Sequence, residues 1–105
     1  MLVSLRLDIA TIARIEADRI YDLILPETED QKKVTVPLPF FENVLTTGQK
    51  LEDLAPTYVR KALDGLAGTA KIRRFRRTAV IPKQSLAFVA AAFRIAADSA
   101  EGRLP

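Results

Sequence analysis

Apolar and polar residues alternate over the first stretch of the chain: Val3, Leu5, Leu7 and Ile9 fall on one side, Ser4, Arg6 and Asp8 on the other. A period of two predicts a half-buried strand over 2–9. From Thr11 the period lengthens. Ile12, Ala13, Ala17, Ile20, Leu23 and Ile24 gather on one face at about 100° per residue, opposite Arg14, Asp18, Arg19 and Asp22. This predicts a helix with Thr11 as its N-cap and Pro26 as its stop. The apolar positions nearly join, so a single helix from Ser4 to Leu25 is the alternative.

Residues 27–33 form a polar loop without periodicity. Val34 to Val36 favour an extended chain, and Pro37 and Pro39 forbid a central strand, so this segment is an edge strand or an extended entry into a helix. Phe40 to Leu45 predict a short helix ending at Gly48. Residues 50–66 predict helix in two pieces joined at Pro56, with Tyr58, Val59, Ala62, Leu63 and Leu66 as the apolar face and Gly65 and Gly68 as breakers.

Residues 70–81 fit two patterns. Thr78 to Ile81 before Pro82 favour a strand, whereas Ile72, Phe75 and Ala79 also sit at helical spacing with Thr69 as a cap. Residues 84–100 predict a helix capped by Ser85. Leu86, Val89, Ala90, Phe93 and Ala97 form one apolar stripe, and Phe88, Ala92 and Ile95 a second. A helix apolar nearly all round is either central in the fold or shared with another chain.

There is no internal repeat and no linker. With 105 residues, 49% of them hydrophobic, the pattern describes one domain, 1–105. The expected class is α+β, helix-rich with a few short strands; an all-α fold is the alternative.

Composition narrows the chemistry. The chain has no Cys, His or Trp. It therefore has no thiolate nucleophile, no Cys-ligated metal and no imidazole base or triad. Asp18 and Asp22, one turn apart with Glu16 nearby, have the spacing to hold a hard cation, but Arg14 and Arg19 pair naturally with them as surface bridges. Glu27, Glu29 and Asp30 lack the glycine turn of a calcium loop. Lys83 and Ser85 resemble a Ser-Lys pair only in composition, and Tyr58 reads as a core residue with a wet hydroxyl. No glycine-rich phosphate loop is present, and Pro37-Leu-Pro39 falls short of a PxxP ligand. The expectation is no enzymatic activity, no cofactor and no metal.

The N-terminal stretch is interrupted by Arg6 and Asp8, and the longest apolar run, Leu86 to Phe93, stops at Arg94. A spanning helix needs about 20 apolar residues. The expectation is a cytoplasmic, soluble protein without membrane contact.

Charge is unevenly placed. Residues 1–59 carry six basic and ten acidic side chains, a net of −4; residues 60–105 carry ten basic and three acidic ones, a net of +7. The positive centre is Lys71, Arg73, Arg74, Arg76 and Arg77, five cations in seven residues around Phe75. Arginine presents a planar fork suited to phosphate, and Phe75 either stacks on a base or anchors the segment in the core. On a strand these cations would divide between both faces, leaving one pair in need of acidic partners. An acidic protein partner and a simply solvated face are the other readings.

Val34-Thr-Val-Pro-Leu-Pro-Phe-Phe-Glu-Asn-Val-Leu45, followed by Leu54-Ala-Pro-Thr-Tyr58, resembles the subunits of the GINS DNA-replication complex. Those subunits lead an extended segment into a Pro-Leu-Trp-Leu-type helix start and then a segment containing Pro and Tyr. The likeness covers about a quarter of the chain, with Pro39-Phe40 standing where the family has Trp-Leu. It implies a non-catalytic subunit of a helical assembly bridging helicase and polymerase factors.

Two functional classes follow. One is a nucleic-acid-associated module using Lys71, Arg73, Arg74, Arg76 and Arg77, with Arg60, Lys61 and Lys83 nearby. The other is an assembly or adaptor subunit, in which the 85–100 helix and the Phe40/Phe41 pair meet a protein partner or a second copy. Phe40, Phe41, Phe88, Ala92 and Ile95 are its expected contacts, and the helix's alanines permit close approach.

Overall fold

The computed structural model describes residues 2–27 and 32–102, with side chains for 8–22 and 32–102. The chain runs α1 (Leu2–Glu27), β1 (Lys33–Pro37), α2 (Leu38–Leu51), α3 (Pro56–Thr69), β2 (Lys71–Arg73), β3 (Thr78–Pro82) and α4 (Lys83–Ala100). The class is α+β.

The expected N-terminal strand is absent: 2–9 belong to one long helix, and Thr11 lies inside it rather than at its cap. Ala10, Ala13, Ala17 and Ile20 are buried at helical spacing, so the stripe that organises the helix starts ahead of Thr11. Ile12 and Ile15 are exposed instead. The side chains of the alternating stretch up to Leu7, those of Leu23 and Ile24, and residues Glu29 and Asp30 lie outside the described residues.

α1 packs antiparallel on α4, the most extensive helix contact of the fold. Alanines on both sides, among them Ala13, Ala17, Ala90 and Ala97, are fully buried. The all-round apolar character of α4 is thus explained inside the chain, where Leu86, Val89, Ala92, Phe93 and Ala96 are also buried. At one end Arg14 on α1 donates to Asp98 Oδ1 at 2.6 Å and to Glu101 Oε1 at 2.9 Å, and these carboxylates raise the pKa of its guanidinium above the ordinary arginine value. Further along, Arg94 donates to Asp18 Oδ1 at 3.1 Å and lies over the Tyr21 ring.

The sheet has the order β1-β3-β2, both pairings antiparallel. Val34 opposes Ile81 and Val36 opposes Ala79, and all four are buried. The alternate residues Lys33 and Thr35 are exposed and Thr78 and Val80 only half-buried, so the helices cover one face. β1 is an edge strand, as Pro37 requires.

Three expected glycine stops are not stops. α2 continues through Gly48 to Leu51, where the buried glycine admits Leu63 of α3: a Cβ there would lie 2.5 Å from Leu63 Cδ2. α3 begins with Pro56 at its first turn and runs through Gly65 and Gly68 to Thr69. Ser85 is not a cap either. It lies in the first turn of α4, with its hydroxyl 3.0 Å from that of Thr69.

Candidate nucleic-acid interface

Residues 71–82 are a β-hairpin, which settles the helix-or-strand alternative for most of this segment. Lys71 and Arg73 oppose Val80 and Thr78 across β2 and β3, on the sheet's uncovered face. Ile72 opposes Ala79 but remains exposed, since β2 lies at the rim of the sheet. Arg74, Phe75, Arg76 and Arg77 form the connecting loop, with the Arg77 amide donating to the Arg74 carbonyl at 3.2 Å. The expected division of the cations between two faces therefore does not arise. Two share the open face and three occupy the loop, and none is driven toward the core.

All seven residues of 71–77 are exposed. Phe75 has a relative exposure of 105%, so it does not anchor the segment in the core. An aromatic side chain left in water forgoes about 1.5–3 kcal/mol of burial. Arg77 has φ 53°, in the left-handed region, where a side chain other than glycine costs roughly 1–2 kcal/mol. Its carbonyl accepts from the Leu38 amide at 2.8 Å, tying the loop to the start of α2.

The electrostatics of the loop differ from those of the helices. Arg14, Arg19 and Arg94 each have a carboxylate within ion-pair distance. Among the described residues, none of Lys71, Arg73, Arg74, Arg76 and Arg77 has one. Five like charges thus lie on one hairpin whose loop carries an exposed ring, with no acidic segment of the described chain matched to them. Lys83 lies at the other end of β3, beside Pro82, and Lys61 shares a cleft with Pro82 there. These two flank the base of the hairpin rather than its tip.

The second expected surface is only partly present. Phe41 and Ala92 are buried in the chain's own core and offer no surface, and Phe40 and Ile95 are half-buried. Phe88 is exposed. It borders a cleft of about 470 Å³ between α3 and α4, whose wall includes Lys61, Ala62, Gly65 and Ser85.

The acidic residues of α1 do not converge on a cation. Asp18 and Asp22 are exposed, whereas Glu16 turns inward and is buried. Glu16 Oε2 accepts a 3.4 Å hydrogen bond from Asn43 and lies 3.9 Å from Arg19, while Oε1 has no partner. No cluster of three or more potential metal ligands occurs among the described residues. Nor, among them, is any helix long and apolar enough to cross a membrane.

Sequence reasoning found the cations but missed the burial of Glu16 and the left-handed geometry of Arg77. Residue 16 carried a signal, standing three positions from Ala13 and four from Ile20 on the apolar face. Compared with known proteins, the chain matches no family model, no curated protein and no solved structure.

Proposed function

We propose that this chain is a non-enzymatic binding module that docks on nucleic acid through the β2–β3 hairpin. The observation that carries this reading is a hairpin with five cations, none with a carboxylate partner among the described residues, and the exposed Phe75 ring in its loop. Arginine forks on a solvated hairpin and its loop suit phosphate oxygens, and contacts of this kind position a protein without selecting sequence. The module works in the cytoplasm, alone or within a nucleic-acid-processing assembly. The GINS-like stretch 34–58 forms β1, α2 and the start of α3, and α2 is the element to which the hairpin loop is tied.

The test is binding of a labelled generic duplex across a salt series. With four to five phosphates contacted, log K should fall against log salt with a slope of about −4. Replacing Arg73, Arg74, Arg76 and Arg77 with Ala should abolish binding while leaving the thermal midpoint within a few degrees. Affinity retained by that variant would refute the reading.

An adaptor role is the second reading, favoured by the exposed Phe88 beside the α3–α4 cleft. Sedimentation separates the two, since a discrete oligomer indifferent to duplex would support the adaptor.

A further inference from the structure

The hairpin is notable for what it carries at its apex. Surfaces that hold unpaired strands stack successive bases on several aromatic side chains. Residues 71–82 contain one aromatic, Phe75, and it stands on the loop rather than on the open sheet face. Arg73 and Arg74 precede it and Arg76 and Arg77 follow it, so cations flank the ring on both limbs of the loop. The loop is held from behind by its own Arg77–Arg74 hydrogen bond and by the Leu38 amide. A single apolar ring on a braced tip, with charge to either side, has the form of a wedge rather than a platform.

We propose that Phe75 inserts between base pairs of duplex DNA from the minor groove, while the flanking arginines hold the phosphates of the two strands. The inference rests on the nucleic-acid reading above and adds the substrate class: duplex whose stacking is already weakened. Unstacking a base step costs free energy, and a wedge recovers it by filling the opened step with an apolar side chain. At a nick or mismatch much of that cost is absent before the protein arrives. Recognition is then of local deformability, not of sequence.

The experiment is fluorescence anisotropy with one labelled duplex in three forms, intact, centrally nicked and centrally mismatched, alongside its single strand. Wild-type protein is expected to bind the interrupted forms about tenfold more tightly than the intact one. Phe75→Ala should erase that preference, so that the intact, nicked and mismatched duplexes are bound with equal affinity. Phe75→Leu should retain part of the preference, because another apolar side chain can still fill the step. Phe75 touches no core residue that its loss would expose, and an unchanged thermal midpoint confirms that the variants fold. Equal affinity for all duplex forms, unaltered by Phe75→Ala, would overturn the wedge and leave the nucleic-acid reading standing. Tighter binding of the single strand than of any duplex would overturn it in favour of stacking on unpaired bases. Absence of salt-sensitive binding to every form would overturn both.

Discussion

The Leu38 amide donates to the Arg77 carbonyl at 2.8 Å, so the residue that closes the hairpin loop also satisfies the first donor of α2. That helix has no side-chain cap: Pro37 stands at its N-cap position, and Pro39 removes a further donor. The start of α4 is solved in the same way. Pro82 occupies the N-cap position and the Lys83 amide donates to the Lys32 carbonyl at 2.8 Å. Because β1 and β3 are antiparallel, the two strand-proline-helix junctions lie at opposite ends of the pair and each is closed by backbone from the other strand's flank.

The relation makes Arg77 separable into backbone and side chain. Arg77→Gly keeps the carbonyl that caps Leu38 and removes the cost of a side chain at φ 53°. Stability in urea should stay level or rise by up to about 1 kcal/mol, the gain being limited by glycine's larger unfolded-state entropy. Duplex affinity should fall and the salt slope should shrink by about one phosphate contact. Arg77→Val, a β-branched residue at the same φ, should lose about 1–2 kcal/mol.

The helical glycines should respond with opposite signs. At Gly65 and Gly68 an added Cβ meets nothing within 4 Å, so Ala at either position should stabilise by about 0.5–1 kcal/mol. At Gly48 the methyl group enters the space of Leu63, and overpacking should outweigh the helix-propensity gain for a net loss of about 1 kcal/mol. A double-mutant cycle checks the cause. Leu63→Ala should be less costly in the Gly48→Ala background than in wild type.

Glu16 contributes a buried carboxylate with one oxygen unpaired. Replacing such a group with an apolar side chain of similar length removes the desolvation penalty, and its partners Asn43 and Arg19 are exposed enough to be hydrated instead. Glu16→Met should therefore raise stability by about 1–3 kcal/mol at neutral pH, read from denaturant midpoints. A loss of stability would show that the 3.4 Å Asn43 contact matters more than the orphaned oxygen.

The sequence made some elements legible and hid others for physical reasons. Periodicity marked α4 and the buried face of α3, where Val59, Ala62, Leu63 and Leu66 face inward, although Tyr58, expected on that face as a core residue, is exposed. At 2–9 the period-two pattern misled because a stripe of small alanines, Ala10, Ala13 and Ala17, sets the helix and weighs little on a hydrophobicity count. The hairpin was obscured because its loop contains no glycine or asparagine; the left-handed position is filled by Arg77. Gly48, Gly65 and Gly68 looked like helix ends because glycine usually marks them, and only the α2–α3 crossing reveals what Gly48 admits. Among the candidate site residues, the charge cluster was visible as a run. The exposure of Phe75 depends on where the loop falls, which the run alone does not contain.

Among the described residues β2 pairs with β3 alone, so its outer rim is an open sheet edge. Lys71 and Arg73 put like charges on that exposed edge, and charged side chains on an edge strand disfavour the annealing of another strand. A polyanion that neutralised them would also remove that protection. Protein saturated with short oligonucleotide should then lose colloidal stability and deposit as β-rich aggregate, beginning at this rim rather than at the helices.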